Sequence, residues 1–114
     1  MSANILKNID FEKAVELAAL VDYRPGQIVS RTLVQNKAVS VTLFAFDAGE
    51  EISEHDSSGD ALVYVLDGMG QLTIGGTAHT ATAGQAVVMP ATIPHAVYAP
   101  ERFKMMLVVV FPAG

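Results

Sequence analysis

The chain has no cysteine among its 114 residues. That excludes disulfides, thiolate metal sites and cysteine nucleophiles, although it leaves the compartment open. Basic residues are scarce: seven Lys and Arg stand against twelve Asp and Glu, for a net charge of −5. Every cation lies at or before Lys37, or at Arg102 and Lys104. Nucleic-acid binding needs clustered cations against phosphate, so no nucleic-acid partner is expected. A strongly anionic substrate is disfavoured too, unless Arg24, Arg31 or Arg102 folds over the pocket. No apolar run reaches the length of a membrane span, and no membrane partner is expected. The N-terminal stretch MSANILKNIDFEKAVELAAL has acids inside its apolar part and lacks a basic-then-apolar signal pattern, which makes a cytoplasmic protein the default. Linkers, low-complexity segments and repeats are also missing, so a single domain over 1–114 is expected.

What is present is apolar and β-rich. Hydrophobic residues make up 51% of the chain and charged ones only 17%, which argues for a packed core rather than disorder. Asp10 is placed to cap a helix in which Phe11, Val15 and Ala18 repeat on one face, and Arg24-Pro25-Gly26 ends that element. Residues 1–26 therefore read as a short N-terminal helix and lead-in, and 27–112 as a barrel. From Ile28 onward, short β-branched and aromatic runs alternate with turn signals. Strands are expected at Ile28–Val34, Val39–Phe46, Ala61–Leu66, Gln71–Ile74, Thr77–Ala81, Ala86–Met89, Ala96–Ala99 and Phe103–Phe111. Asp67-Gly68 and Gly75-Gly76 read as tight hairpin turns between them. Many short strands after one helix predict an all-β sandwich or barrel.

Two segments carry ordered motifs. In the first, Gly49 precedes His55 by six residues, and Tyr64-Val65-Leu66-Asp67-Gly68 closes an apolar strand. In the second, GQAVVMPATIPHAV supplies Gly84, Pro90, Pro94 and His95 in order, and Gly75-Gly76 lies between the two. Over roughly residues 28–111 this resembles the cupin family, the RmlC-like jelly-roll barrels (double-stranded β-helices). Two ordered motifs are far more specific than a lone glycine pattern. The resemblance implies a jelly-roll fold and a metal held by three histidines and a carboxylate. The ligand set here is incomplete: the family's second motif-one histidine aligns with Ser57, and its glutamate with Ala61. His55 and His95 are what remains as metal ligands, with Ser57 and Asp60 as accessory candidates.

On a fully extended strand His55, Ser57, Gly59 and Ala61 share one face, and Asp56 and Asp60 the other. A bulge in the turn-like Ser57–Asp60 segment would swing Asp60 inward. His79, the third histidine, falls between the motifs and reads as a partly buried, hydrogen-bonded residue; a functional role would put it at the far end of the barrel from His55. Met69, Met89, Met105 and Met106 read as adaptable core filler, of which one or two would line a cavity and favour an apolar ligand. Tyr64 and Phe44 read as core in the same way.

Two functions fit these residues. One, implied by the cupin resemblance, is a small-molecule enzyme of dioxygenase or isomerase type, in which His55 and His95 at the barrel mouth hold a divalent transition metal (Zn, Ni, Fe or Mn) or move protons. The other is a non-catalytic, metal-free module that binds or senses a small ligand in the same cavity. Two imidazoles under-ligand a metal, so any binding is expected to be weak. Finally, ALVYVL and MMLVVVF are apolar on both strand faces instead of alternating, which predicts a homodimer that covers sheet surface.

Overall fold

The computed structural model describes residues 5–113. Eight strands follow one short 3-10 turn at Leu17–Leu20: β1 (Ile28–Gln35), β2 (Val39–Phe46), β3 (Glu51–His55), β4 (Asp60–Ile74), β5 (Thr77–Thr82), β6 (Ala86–Met89), β7 (His95–Tyr98) and β8 (Phe103–Val110). All pairings are antiparallel, in the order β1-β2-β8-β4-β7-β3, with β5 and β6 also paired to β4. The sheet curls over one interior, giving the jelly-roll barrel the motifs imply. Among the described residues no helix is long and apolar enough to cross a membrane.

Strand β4 corrects the reading of Asp67-Gly68 as a hairpin turn. The chain runs through this dipeptide and remains strand for fifteen residues. Residues 60–68 pair with β8, with β6 alongside residues 61–64, and residues 69–74 pair with β5 and, from Gln71, with β7. The register with β8 slips between Val65 and Asp67, and Gly68 has φ +73°. This is a bulge that bends the strand from one sheet into the other. A turn-forming pair and a bulge-forming pair use the same left-handed glycine, so the dipeptide alone does not distinguish them. The true hairpin turn is at Gly75-Gly76, where both residues have positive φ.

The interior faces of the strands form the main core. Ala61, Val63 and Val65 from β4, Val97 from β7, and Phe103 and Met105 from β8 are all buried, with Phe46 stacked on Phe103 at 4.6 Å between ring centroids. The alternate residues of β4, Leu62, Tyr64 and Leu66, are half-buried on the outer face.

The N-terminal helix expected from Asp10 does not form. Asn8 and Glu12 take left-handed φ values of +61° and +56°, Asp10 pairs with Lys13 at the surface, and the short turn beginning at Leu17 has no side-chain cap. The segment instead lies as a strap on the outer sheet face. Val21, Leu17, Leu20 and Tyr23 pack there with Leu43, Ala45, Leu66 and Met106 in a second core. Burial of these apolar groups overrides the weak helical periodicity, as tertiary packing commonly does. Polar contacts hold the strap down. The Tyr23 hydroxyl donates to Asp67, Lys104 Nζ donates to the Ala18 carbonyl at 2.6 Å, and Arg102 and Lys104 lie 5.4 and 4.8 Å from the Tyr23 ring centre. Burial, and then the Asp67 carboxylate, push the Tyr23 phenol well above its usual range. Part of the outer apolar surface that β4 and β8 carry is therefore covered by the chain's own N-terminal segment.

The bend at Gly68 yields a differential prediction. A Cβ there would overlap the Arg102 carbonyl oxygen and crowd Phe103, while a Cβ at Gly76 (φ +84°) would meet nothing within 4 Å. Gly76→Ala incurs only the left-handed penalty, about 1–2 kcal/mol. Gly68→Ala adds overpacking of about 1–3 kcal/mol on top. Urea denaturation of the two variants should therefore rank Gly68→Ala as clearly less stable.

Candidate functional site

His95 opens β7, and His55 closes β3. These two strands pair, and the register places His55 opposite His95. Between Ile52 and His55 the ladder slips, with three steps on β3 matched to two on β7. The bulge therefore sits before His55, not in Ser57–Asp60, and it re-aims the His55 ring toward β7. The loop that precedes β7 is tied to the loop after β3. Thr92 N–H donates to the Ser57 carbonyl at 2.8 Å, and Ala91 N–H donates to Asp60 Oδ1 at 2.8 Å. Two loops distant in sequence are thus fixed together at the barrel mouth.

The structure brings His55 and His95 into contact. Their Nε2 atoms are 3.2 Å apart, and the rings meet edge-on at 76° with centroids 4.4 Å apart. His95 is 2% exposed, and His55 stands at the solvent side of the pair. The other ring nitrogens define the tautomers. His55 Nδ1 faces the Ser53 carbonyl at 2.8 Å, and His95 Nδ1 faces the Ile93 carbonyl at 3.2 Å. A carbonyl oxygen only accepts, so each Nδ1 must carry a proton. In the neutral pair both Nε2 atoms then present lone pairs to each other. Two acceptors at this distance need an electropositive atom between them: a proton, a metal ion or a donor hydrogen of a ligand. Burial first, and the neighbouring His55 second, hold His95 below the ordinary histidine range, outweighing the Ile93 carbonyl and Asp56.

Behind the pair lies a cavity of about 230 Å³. Ser57 lines it beside the histidines, and the remaining lining is apolar, including Ala61, Met89, Met105 and Val97. Ser57 Oγ accepts from Gly59 N–H at 3.1 Å, which leaves its own hydrogen free to donate. Asp60 is exposed, is spent on Ala91 and does not line the cavity. Among the described residues no three His, Cys, Asp or Glu side chains gather as a metal-binding group. His79 corrects the expectation of partial burial: it pairs with Leu72 at β5, is exposed, and does not reach the cavity. Sequence reasoning missed β3 as a strand and the backbone carbonyls of Ser53 and Ile93 as orienting partners. Each carbonyl precedes its histidine by two residues, but only a bulge or loop conformation aims it at the ring.

A family model described as the Cupin domain matches residues 42–111, which include both histidines. A conserved protein of unknown function from Streptococcus pyogenes is 42% identical, with full coverage of both chains and a TM-score of 0.96. A cupin superfamily protein from Desulfitobacterium hafniense is 32% identical over 94% of this chain and 98% of its own, with a TM-score of 0.89. A cupin 2 conserved barrel domain protein from Leptotrichia buccalis is 42% identical over 82% of this chain and 45% of its own, with a TM-score of 0.80. No curated protein matches the chain.

The lowered His95 pKa gives a pH dependence. The unfolded chain protonates this residue near its ordinary value of about 6.5, and the folded chain only at lower pH. Between those values the unfolded state holds the extra proton, so stability contributed by His95 is present above about pH 6.5 and is lost as pH falls toward the folded value. Denaturant midpoints measured in chelator from pH 7.5 to 5 should fall more steeply for the wild type than for His95→Gln. Equal slopes would show that His95 titrates alike in both states.

Proposed function

This chain belongs to the cupin family, and on that premise we propose that it is a small-molecule-binding barrel centred on the His55–His95 pair, which also holds a divalent transition metal weakly. The observation that carries this reading is the pair of opposed Nε2 lone pairs, 3.2 Å apart, with both Nδ1 atoms directed at carbonyls. Donation of the outer ring nitrogen to a carbonyl is the usual arrangement of metal-ligating histidines, since it orients the ring and raises its basicity. Two nitrogens at about 2.0–2.1 Å from one ion in tetrahedral coordination lie about 3.3 Å apart. The donor set therefore fits an ion, but supplies half of a tetrahedral shell. Members of the family commonly bind transition metals; of the candidates Zn, Ni, Fe and Mn, the first three suit imidazole with open positions, and Mn, which prefers carboxylate oxygens, suits it least. When bound, such an ion would supply Lewis-acid or redox chemistry of the dioxygenase or isomerase kind. The chain's own contribution is to orient the two imidazoles, to exclude water with an apolar wall, and to present the Ser57 hydroxyl beside them.

A second reading is favoured by the thin donor set. Without a third ligand, the same cavity serves as a metal-free, non-catalytic binding or sensing module, in which a ligand hydrogen takes the position between the two Nε2 atoms.

Calorimetric titration with zinc or nickel tests the metal. The wild type should bind weakly, and His55→Ala or His95→Ala should abolish binding. Ser57→His combined with Ala61→Glu adds an imidazole and a carboxylate on the cavity wall, and should strengthen binding by more than the 10–100-fold that outer groups typically contribute. Tight binding by the wild type, or no gain in the double variant, would overturn the picture of an incomplete convergent site.

We also propose a homodimer formed through the outer face of β6, β4 and β8. Leu62 sits between Val88 and Val108 in register, Tyr64 between Ala86 and Met106, and Val88 and Val110 remain 54% and 56% exposed. The strap core does not include Leu62, Tyr64 or Val88. Light scattering at micromolar concentration should give twice the chain mass for the wild type and the single mass for Val88→Lys. A monomeric wild type would remove the proposal.

A further inference from the structure

We infer that the cavity selects a compact, neutral, largely apolar molecule with one hydroxyl group, seated with that hydroxyl at His55, Ser57 and His95. This inference deepens the small-molecule reading above and rests on it.

Three observations point to this ligand class. The first is size. A dry cavity of about 150 Å³ accommodates benzene, so 230 Å³ takes a single ring or a branched chain of similar bulk. The second is the wall. Beyond the two histidines and Ser57, the lining consists of hydrocarbon and methionine side chains, with Ala61, Met89 and Met105 buried to 2% exposure or less. Among the described residues no Lys, Arg, Asp or Glu lines it. None of the three arginines that could neutralise an acid lines it: Arg102 pairs with Asp47 at 2.9 Å, Arg31 donates to the Asn8 carbonyl, and Arg24 is exposed outside the lining. A charged ligand would lose its hydration without finding a partner, which is far more costly than burying a hydroxyl that is hydrogen-bonded.

The third observation is how the polar groups complement each other. Both Nε2 atoms are acceptors without a donor, and Ser57 has a hydrogen to give because its oxygen already accepts from Gly59. A hydroxyl group meets both needs only by sharing: its single hydrogen sits between the two Nε2 lone pairs, 3.2 Å apart, and its oxygen accepts from Ser57 Oγ. A ketone could use only Ser57, and would leave both histidines without a donor. An unsubstituted hydrocarbon would leave all three polar groups unpaired. The cavity therefore discriminates by hydrogen-bond inventory more than by shape, and sites of that kind reject analogues that lack the matching group.

The test uses metal-free protein in chelator, with phenol, benzene, benzoate and benzylammonium as probes. Binding is read from the NMR methyl signals of Met89 and Met105, which report the cavity wall. Phenol should shift both signals saturably. Benzene should bind more weakly, and benzoate and benzylammonium at least about 100-fold more weakly than phenol. Ser57→Ala should weaken phenol by about three- to tenfold, the worth of one hydrogen bond, while leaving benzene unchanged; the benzene result certifies that the cavity in the variant is intact. Benzoate or benzylammonium matching phenol would overturn the neutral class, and benzene matching phenol would overturn the hydroxyl. If zinc, added to a separate chelator-free sample, shifts the His55 and His95 ring signals but phenol leaves the methionines unmoved, the ligand class falls and the histidine site stands. If neither probe moves any of the four residues, both fall together.

Discussion

Strand β4 hydrogen-bonds to four other strands, β5, β6, β7 and β8, and the rest of the barrel depends on its passing through two sheets without interruption. The passage requires one sharp bend, which is made at Gly68, where the left-handed backbone and the proximity of the Arg102 carbonyl exclude any side chain. On one side of the bend, β4 lays Ala61, Val63 and Val65 against the core; on the other it lays Leu72 there and, in the sheet opposite, supports β7. The β7 strand opens with His95, paired to Ile74 of β4 and to His55 of β3. The position of the site therefore traces back, through two ladders, to a single bulged strand.

The site itself is a small polar centre set into an apolar wall. Its chemistry comes from the mismatch between the two imidazoles. Each is oriented by a backbone carbonyl on the Nδ1 side, so neither is free to turn a donor toward the other. Burial opposes protonation of His95. The proposed function places an electropositive group from outside the chain, an ion or a ligand hydroxyl, between them. The same small, uncharged surroundings that limit the metal-ligand set also narrow what can enter.

The strap over the outer face serves a different end. A sheet with apolar residues on both faces would expose a broad hydrophobic surface, and the segment from Ile9 to Tyr23 covers the part around Leu43, Leu66 and Met106. It is held less by regular structure than by anchoring: Tyr23 among Asp67, Arg102 and Lys104, and Lys104 on Ala18. The outer positions of β6, β4 and β8 beyond the strap, Val88 and Val110 among them, retain their apolar exposure.

The all-β class, most strand positions and the two histidines were legible in the sequence itself, because these depend on local chemistry: β-branched runs, glycine and proline punctuation, and the spacing of Gly49 to His55 and Gly84 to His95. The incomplete ligand set was legible only through the cupin resemblance, which aligns Ser57 and Ala61, neither a strong donor, with a histidine and a glutamate. Tertiary structure decided the rest. Asp67-Gly68 bends a strand rather than ending one, because β8, β5 and β7 are all present to pair with its continuation. The Phe11–Ala18 periodicity does not make a helix, because the sheet offers the following residues more burial than a helix would. Asp60 stays out of the cavity, because the Ala91 amide claims it, and the bulge that aims a side chain inward falls before His55 instead. Whether two imidazoles forty residues apart face each other through donors or through lone pairs depends on carbonyls placed by a bulge and a loop, and no local pattern in the chain encodes that placement.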